Sequence, residues 1–576
     1  MPSAPFSQPA WAGRAMLTPA AGEVSIGLVT LNSKYVHIAL ALRCLRNAAR
    51  DAGFAGTWLA EYTIQTPLWK VAAELMARRP AVLGFAIYIW NRRQTLDLIE
   101  LVKKQHPGLL VVVGGPEVSF EAGPPSPYVD VVIAGEGERK WVECLQLWAQ
   151  GRQPDEATRR RWAAYGSDLP ALEALPYREE DLAGLADRLV YLETSRGCPF
   201  SCSFCLSALD EQVRFYPDDA VQAHIGRLIA AGARRIKFLD RTFNLRKPRV
   251  RKLFRWLMGF PGVEFHFEVV GDLLDEEMLA LLAEAPPGMF QFEVGIQSAS
   301  AETQARVERR QHQPRLFEVI RRLVADGRVH LHADLIWGLP GEGLAEIRAS
   351  FEQVLALQPH ELQLGFLKFL PGAPIRRLIE PHRYVFQDGP PYELIAHERL
   401  SAEEVLSLKR FEAVFDATYN SGRFRFTLRR LMRERGAWAL FSTLAEHFAA
   451  HGLLVPAHSL EGLLGHLHRC AQGWIAQDEL SDLLKLDYFY NHPARAGRVP
   501  ALLNGRETAE TPAVRAWRKA QPNGAVAAFR HRIALRDGTA ELEPSPQPVW
   551  YAFRYQQRQA ERGGGYFFRP TLEALE

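Results

Sequence analysis

The chain has 576 residues, of which 47% are hydrophobic and 23% are charged. This is enough for about two to four globular domains with sizeable cores. Its 69 basic and 66 acidic residues leave a formal net charge of only +3. This net charge does not indicate a nucleic acid or an anionic membrane as a partner. No segment approaches the ~18 to 20 apolar residues of a membrane span, and six cysteines in so long a chain argue against a disulfide framework and for a reducing, cytoplasmic compartment.

The first segment, residues 1–21, lacks a cationic start followed by an apolar core and is expected to be a disordered leader, with Met16 as an alternative start. Strand-like and helix-like segments alternate from Val24 to residue 150, which predicts a doubly wound, Rossmann-like α/β domain over 22–155. The predicted strands are Val24–Thr30, Thr57–Tyr62, Val82–Ile89, Leu109–Val113 and Val129–Ala134, with helices at Ile38–Ala52 and Arg93–Gln105 among them.

Polar, aromatic and glycine residues collect after these strands. In a doubly wound sheet the ligand lies beyond the carboxyl ends of the strands, and glycines there let the backbone approach a ligand closely. The alternative is that the GGP and GEGE turns only reverse the chain. The candidate ligand contacts are Asn32, Tyr35, His37, Tyr88, Trp90, Asn91, Gly114, Gly115, Pro116, Glu117, Gly135 and Glu136.

A charged linker over 156–185 leads to three cysteines, Cys198, Cys202 and Cys205, at C-x3-C-x2-C spacing after a short apolar strand. Such a loop can wrap three thiolates around three irons of a 4Fe-4S cluster and leaves the fourth iron without a protein ligand, whereas electron carriers supply four cysteines. The alternatives are a zinc loop that needs a fourth ligand and buried thiols that bind nothing. The other cysteines, Cys44, Cys144 and Cys470, stand alone in apolar, helix-like settings.

A second series of strands and helices follows over 186–395. Its strands are predicted at Leu189–Leu192, Arg235–Leu239, Glu264–Val269, Met289–Val294, Val329–Ile336 and Leu362–Phe369. In barrels built of such strands and helices, the chemistry takes place at the carboxyl ends of the strands. The candidate site residues at these ends are Asp240, Arg241, Thr242, Asn244, Glu268, Glu293, Gln297, Ser298, Asp334, Glu342 and Lys368.

Residues 396–576 are predicted to be an accessory domain that caps or extends the barrel. Residues 400–490 have helical periodicity, and short strand-like runs appear from Val526 onward. An arginine cluster fits either a phosphate-bearing substrate or RNA, or simply a solvated helix face. Its members are Arg423, Arg425, Arg429, Arg430, Arg433 and Arg435.

The order of these parts, a GGP- and GEGE-bearing sheet, a linker and then C-x3-C-x2-C, resembles the cobalamin-binding branch of the radical S-adenosylmethionine (SAM) superfamily. The resemblance implies a cobalamin-binding domain, a partial (β/α)6 radical SAM barrel and an uncharacterised C-terminal domain. It implies three cofactors: a 4Fe-4S cluster, SAM and cobalamin. Many other cobalamin proteins supply a cobalt-binding histidine from a D-x-H-x-x-G loop, but the loop from Lys34 to Leu40 lacks both the aspartate and the glycine. We therefore expect no histidine on cobalt.

The same resemblance places the SAM contacts. The aromatic Phe204 precedes the third cysteine, Asp240 to Asn244 stand where the family meets the SAM amino group, and Glu268 and Gln297, with Ser298, stand where polar groups reach the ribose or carboxylate. The alternative for each is a satisfied ion pair at the barrel rim.

The resemblance implies reductive cleavage of SAM at the cluster and modification of an unactivated carbon of an unknown organic substrate, with methylation as the expected outcome. It also implies a low-potential electron donor, flavodoxin or ferredoxin. Ring formation and other rearrangements occur in the same branch. The other functions considered are an RNA-modifying enzyme of the methylthiotransferase type, which usually has a second trio of cysteines, and a non-catalytic cobalamin or redox sensor.

Overall fold

A computed structural model describes residues 24–575, except for 122, 167–168, 174, 455–457, 492–499, 501–502, 504–509, 522–523, 537–538, 556–558, 561–565 and 568–570. The predicted leader and Met16 therefore lie outside the described residues. The chain divides into two compact units. The first comprises Met1–Gly343, Leu357–Pro359 and Gly365–Arg399, and the second comprises Leu344–Ala356, His360–Leu364 and Leu400–Glu576.

The first unit begins with a five-stranded parallel sheet in the order β2-β1-β3-β4-β5, which confirms the doubly wound fold. Its strands are runs of valine, isoleucine and leucine because both faces are covered by helices. The bounds are β1 (Ile26–Asn32), α1 (Leu40–Asp51), β2 (Thr57–Thr63), α2 (Leu68–Ala77), β3 (Val82–Ala86), α3 (Arg92–Gln105), β4 (Leu110–Gly114), β5 (Val131–Ile133) and α4 (Glu138–Ala149).

Strand β3 ends three residues earlier than the sequence pattern predicts. The apolar pattern continues to Ile89, but the Asn91 side chain accepts a hydrogen bond from the Tyr88 backbone N–H (2.8 Å) and donates to the Ala86 carbonyl (3.2 Å). These bonds fold the chain into a turn, as asparagine side chains commonly do. The turn places Tyr88 and the residues after it at the carboxyl edge of the sheet.

The segment predicted as a linker is folded. Helix α5 (Glu156–Ala163) begins where Asp155 accepts a hydrogen bond from the Thr158 N–H at 2.7 Å. Trp162 from this helix is 1% exposed and packs in the same hydrophobic cluster as the first sheet. The buried Lys140 Nζ donates to the carbonyls of Ala134 and Ala164, each at 2.7 Å. The segment thus completes the core of the N-terminal sheet.

The second sheet has six strands in the order β13-β12-β11-β10-β9-β6, and the neighbours from β6 to β12 pair in parallel. This order confirms the partial (β/α)6 barrel. The elements are β6 (Val190–Leu192), β7 (Ser195–Arg196), β8 (Arg214–Phe215), α6 (Asp218–Ala230), β9 (Arg235–Phe238), α7 (Lys247–Leu257), β10 (Glu264–Val269), α8 (Glu276–Ala283), β11 (Phe290–Gln297), α9 (Ala301–Arg306), α10 (Gln313–Asp326), β12 (His330–Trp337), α11 (Leu344–Leu355), β13 (Glu361–Phe366), and the hairpin strands β14 (Val385–Phe386) and β15 (Leu394–Ala396).

Buried phenylalanines pack the strands of this sheet against their helices. The rings of Phe238 and Phe267 stack 4.7 Å apart between centroids, and Phe254 lies 5.0 Å from Phe290. All four side chains are fully buried. Aromatic pairs at these separations add to the stabilisation from burial alone, so this face of the sheet is a rigid support for the polar residues at the strand ends.

The second unit is mostly helical and ends in antiparallel strands, as the sequence predicts. Phe351, Phe411, Phe415 and Phe441 pack together in its core. Its remaining elements are α12 (Ala402–Phe415), α13 (Arg425–Arg435), α14 (Ala437–Ala450), α15 (Leu460–Ala471), α16 (Gln477–Asn491), α17 (Pro512–Ala520), β16 (Ala525–Arg536), β17 (Thr539–Arg554), β18 (Gln559–Ala560), β19 (Tyr566–Phe567) and β20 (Thr571–Leu575).

The arginine cluster of the second unit lies on and beside α13. Arg430 is paired with Glu479 at 2.7 Å and with Glu434 at 3.0 Å, and the Arg435 guanidinium lies over the Trp474 ring.

Across the described ranges, no helix is both long enough and apolar enough to cross a membrane.

Candidate functional site

The three-cysteine loop is held in shape by backbone contacts. Gly197 has φ +96°, and a Cβ there would lie 2.4 Å from the Gln212 carbonyl oxygen, so only glycine fits. The Cys198 N–H donates to the Asp210 carbonyl at 2.8 Å, and the Cys205 N–H donates to the Cys202 carbonyl at 3.0 Å. The tight loop keeps the three thiols on one short stretch of chain.

Two of the three cysteines are buried, and Cys205 is half-buried. Cys198 is 8% and Cys202 is 5% exposed. Burial raises the pKa of the Cys202 thiol, while Arg309, whose guanidinium Nη1 lies 3.6 Å from Cys202 Sγ, opposes that rise. Thiolates must form before iron binds, so the cation beside Cys202 favours the binding form.

Within the described part of the chain, no three histidine, cysteine, aspartate or glutamate side chains stand in position to share a single metal ion. A structural zinc site requires four such ligands around one ion. In a 4Fe-4S cluster each thiolate binds a different iron, so the sulfurs need not converge on a point. The loop therefore fits a cluster better than zinc.

A cavity of about 830 Å³ adjoins this loop, which is near the upper end of the range for ligand pockets. One wall is the carboxyl edge of the N-terminal sheet. The other comes from the cluster loop and the first strands of the barrel, through Glu193, Gly197, Lys237, Arg241 and Glu268. The two predicted cofactor regions thus face one space.

Most of the ligand contacts predicted on the N-terminal sheet line this cavity. They are Asn32, His37, Tyr88, Trp90, Gly114, Gly115, Pro116, Gly135 and Glu136. The rings of Tyr88 and Trp90 stack at 4.6 Å with 4° between their planes. They form an aromatic surface at the end of β3.

Three of the predicted contacts do not line the cavity. Tyr35 is 69% exposed and lies beneath the Arg188 guanidinium. Asn91 is buried and supports the turn after β3. Glu117 is 3% exposed and accepts a hydrogen bond from the Tyr392 hydroxyl at 2.8 Å. Each of these three residues contacts another group of the protein.

Gly115 is required for a reason that the sequence alone does not reveal. It has φ +108°, and a Cβ there would lie 2.5 Å from the Ile87 carbonyl oxygen. Gly115 therefore allows the turn after β4 to lie close to the chain after β3. The contact between these two turns also forms part of the cavity wall.

His37 contacts the barrel. Its Nδ1 lies 2.7 Å from the Tyr191 hydroxyl, and its carbonyl accepts a hydrogen bond from Arg188 at 2.7 Å. Burial lowers the pKa of His37, so the ring is neutral near pH 7. Tyr191 fixes the orientation of the ring through Nδ1. The expectation that His37 does not bind cobalt stays a prediction.

Three of the residues predicted to contact SAM already have protein partners. The Asp240 carboxylate accepts from the Thr194 N–H (2.8 Å), the Thr194 hydroxyl (2.6 Å) and the Ser195 hydroxyl (2.6 Å). Asn244 exchanges two hydrogen bonds with the Val270 backbone, and the Ser298 hydroxyl donates to Glu342 at 2.5 Å. These hydrogen bonds connect the ends of neighbouring strands.

Glu268 and Gln297 are the more available members of that set. Glu268 lines the cavity, where burial raises the pKa of its carboxyl, and the Arg241 guanidinium lies 3.8 Å from its carboxylate. Gln297 occupies a β-bulge with φ +69°, and among the described residues its buried Oε1 has no hydrogen-bond partner. Buried polar atoms nearly always have a partner, so this oxygen is able to accept a hydrogen bond from a bound ligand. Phe204 is half-buried within the cysteine loop.

A row of charged residues inside the barrel was only partly foreseen from the sequence. Glu293 accepts hydrogen bonds from Lys237 at 2.9 Å and His266 at 2.8 Å, and these contacts hold the pKa of Glu293 below its usual range despite its burial. Asp334 lies 3.3 Å from His332, and its burial near Glu293 raises its pKa. Sequence reasoning named the two carboxylates but missed Lys237, His266 and His332. Alternate positions along a strand share a face, and that periodicity would have found them.

Arg196 was also missed. Its guanidinium contacts Glu136 and Glu138 of the GEGE turn, each at 2.8 Å, and Glu193 at 2.6 Å. These carboxylates hold the pKa of Arg196 above its ordinary value. In the sequence, the position of Arg196 directly before Gly197 and Cys198 of the cluster loop could have indicated its importance.

Comparison with known proteins finds three matching family models. They are described as B12 binding domain over residues 26–145, Radical SAM superfamily over residues 192–354 and Protein of unknown function (DUF4080) over residues 380–523. The first two meet at the cavity described above. The chain is a cobalamin-binding radical SAM protein.

Curated relatives of this cobalamin-binding radical SAM protein include two methyltransferases. The 2-(S-pantetheinyl)-carbapenam-3-carboxylate methyltransferase of Streptantibioticus cattleyicolor is 27% identical over an alignment of 458 positions that covers 68% of this chain and 65% of that protein. The cobalamin-dependent radical SAM methyltransferase TokK of Streptomyces tokunonensis is 28% identical over an alignment of 382 positions that covers 58% of this chain and 55% of that protein. The chain thus spans less than two thirds of the length of these relatives.

The solved structure of the cobalamin-dependent SAM radical enzyme OxsB with aqua-cobalamin and SAM bound has a similar fold. It matches with a TM-score of 0.56 at 15% identity, covering 81% of this chain and 84% of that one. The expected cofactors of this cobalamin-binding radical SAM protein, a 4Fe-4S cluster, SAM and cobalamin, are confirmed by the Radical SAM and B12 binding family models.

Proposed function

We propose that the protein is an enzyme that methylates an unactivated carbon of a small organic molecule, using SAM and cobalamin together. One observation carries this proposal: a single cavity is lined both by the carboxyl edge of the cobalamin-type sheet and by the cluster loop with the first barrel strands. A shared cavity lets a substrate meet both cofactors without leaving the protein, which is the positioning that such chemistry needs.

The cofactors supply the difficult chemistry, with the reduced cluster and SAM generating a radical and cobalamin supplying a methyl group. The chain's part is to bind them, orient them and exclude water. Cys198, Cys202 and Cys205 would hold the cluster. Because they provide three thiolates, one iron is left for SAM.

For SAM, we propose Glu268 and Gln297 as direct contacts, supported by the cavity position of the first and the unpaired buried oxygen of the second. An amide oxygen and a carboxylate are suitable acceptors for ribose hydroxyls or an ammonium group. Phe204 would pack beside the cluster. Asp240, Asn244 and Ser298 would act indirectly, since their hydrogen bonds fix the strand ends that carry the contacts.

For cobalamin, we propose that the backbone at Gly114, Gly115, Pro116 and Gly135 and the stacked rings of Tyr88 and Trp90 form the binding wall. The rings present an apolar surface, while the short turns bring backbone amides to the edge of the cavity. His37 is proposed to line the wall with its ring held by Tyr191.

The electron donor is proposed to be a flavodoxin or ferredoxin, because reductive cleavage of SAM needs a low-potential electron. A reducing, cytoplasmic location is proposed with it. All six cysteines are free, which suits a reducing compartment.

An RNA-modifying enzyme of the methylthiotransferase type is not favoured. Beyond the cluster loop the cysteines are Cys44, Cys144 and Cys470, which are far apart in sequence and do not form a second trio. A cobalamin or redox sensor is not favoured either, because the curated relatives are named as methyltransferases.

The proposal is tested by product analysis of the anaerobically reconstituted full chain, given SAM and a low-potential reductant with and without cobalamin. Methylating chemistry predicts both 5′-deoxyadenosine and S-adenosylhomocysteine, the latter only with cobalamin, measured by mass spectrometry. 5′-Deoxyadenosine alone would favour a rearrangement. If protein with an intact cluster forms neither product, that result would contradict the proposed enzyme and favour the sensor.

A further inference from the structure

Arg196 is the centre of a buried ion network at the edge of the cavity. Besides the contacts to Glu136, Glu138 and Glu193 given above, its Nε donates to Glu193 at 2.7 Å. The four side chains are between 13% and 17% exposed. A guanidinium suits this position because its planar fork of donors can serve several carboxylates at once, whereas a lysine ammonium cannot.

The network joins two parts of the chain that bear different cofactors. Arg196 stands two residues before Cys198, in β7, and pairs with Arg214 of β8. Arg214 also contacts Glu136. Glu136 and Glu138 lie after β5, in the turn that walls the proposed cobalamin site. The cluster loop is therefore anchored to the N-terminal sheet through this network.

Other contacts hold the periphery of the same junction. Tyr392 bonds to Glu117, and Arg46 bonds to Asp181 at 2.5 Å. None of these residues lies in the cluster loop. Removing the Arg196 guanidinium therefore leaves the sheet and the barrel attached, and changes the contact that reaches the cysteines.

Removing that guanidinium also leaves buried carboxylates without their cation. Burial already raises the pKa of Glu193, and Arg196 opposes the rise. An uncompensated buried charge is relieved by protonation, by water entry or by movement. Because Glu138 and Glu193 lie on opposite sides of the junction, each response changes how the loop sits against the sheet.

We propose that Arg196 is a positioning residue that fixes the separation between the cluster and cobalamin. This inference rests on the proposed function, since it requires both cofactors in one cavity. Arg196 itself is assigned no contact with either cofactor. It acts through Glu136 and Glu138 on one side and through the backbone of Gly197 and Cys198 on the other.

The test compares Arg196→Gln, Arg196→Lys and Glu138→Gln with the wild-type full chain, each loaded with cluster and cobalamin. The control is Arg160→Gln, which removes a surface ion pair whose partners are 79% and 70% exposed. Electron paramagnetic resonance measures how strongly the reduced cluster accelerates relaxation of the cobalt(II) signal, an effect that falls steeply with distance. Iron and cobalamin contents are measured on the same samples.

The expected result is a changed relaxation enhancement in Arg196→Gln, a smaller change in Arg196→Lys and Glu138→Gln, and no change in Arg160→Gln. Wild-type enhancement in fully loaded Arg196→Gln would overturn the inference and leave Arg196 a merely structural residue. If Arg196→Gln does not load, unchanged enhancement in both Arg196→Lys and Glu138→Gln would overturn it. Failure of the wild type to load both cofactors would instead contradict the proposed function.

Discussion

Arg196 Nη1 lies 2.8 Å from Glu136 Oε2, which joins the start of the cluster loop to the turn after β5. The two residues are 60 positions apart in the chain and belong to regions matched by different family models. A buried charge-assisted hydrogen bond of this kind is directional as well as strong. The junction between the two cofactor regions is thus defined by specific polar contacts.

The shape of the cluster loop depends on Gly197. Substituting Gly197 by Ala should destabilise the fold by about 1 to 3 kcal/mol and lower the iron content, because an alanine at φ +96° is strained and its Cβ would overlap the Gln212 carbonyl. Thermal unfolding and iron analysis after reconstitution measure both effects. The matched control is Gly226→Ala in α6, where nothing lies within 4 Å of the added Cβ, and it should stabilise by about 0.5 to 1 kcal/mol. Equal behaviour of the two variants would contradict the role of Gly197.

SAM affinity should depend on Glu268 and Gln297. Replacing either by alanine is expected to weaken SAM binding by ~1 to 3 kcal/mol, because each removes a hydrogen-bond partner from a partly desolvated site. Equilibrium dialysis with cluster-loaded protein measures the affinity. Glu302→Ala, which removes a 75% exposed carboxylate from a surface pair, should bind SAM like the wild type. Unchanged affinity in both the Glu268 and the Gln297 variant would show that SAM is held elsewhere.

The fold and the cluster were predictable from the sequence because their signals are local. Buried parallel strands appear as apolar runs, and three cysteines in eight residues need no tertiary information. Asp240 shows the limit of this reasoning. Its place at a strand end predicts a ligand contact, but no local pattern predicts that Thr194 and Ser195, 46 and 45 residues away, also donate hydrogen bonds to its carboxylate. Arg196 was missed for the same reason, because its partners lie on another sheet.

Cobalt coordination provides a test of His37. Because its loop lacks the aspartate and glycine that usually frame such a ligand, the cobalt(II) spectrum should show no nitrogen splitting from this ring. His37→Ala should therefore leave the electron paramagnetic resonance spectrum unchanged in this respect. A splitting that is present in the wild type and absent in the variant would mean that His37 binds cobalt.

Acid stability should depend on His224. Burial lowers the pKa of its imidazole from 6.5 to about 4, so between these values the unfolded chain binds a proton that the folded chain does not. Stability from this group is therefore complete above pH 6.5 and is lost as the pH falls toward 4, with a slope of at most about 1.4 kcal/mol per pH unit.

His224→Phe should remove that slope, because phenylalanine cannot titrate. Denaturant unfolding at pH 5 and pH 7 measures the difference, with the exposed His106→Gln as control. An identical pH dependence in His224→Phe and the wild type would contradict the assignment.

The central claim is that one chain holds a cluster and cobalamin at the same cavity, and native mass spectrometry of the anaerobically reconstituted full chain tests it most directly. We predict a main species that carries one 4Fe-4S cluster and one cobalamin. The Cys198, Cys202 and Cys205 triple alanine variant should lose the cluster mass and keep cobalamin, while Cys470→Ala should keep both. A wild-type spectrum in which cluster-bound and cobalamin-bound chains are separate populations, or a triple variant that retains the cluster, would contradict the account.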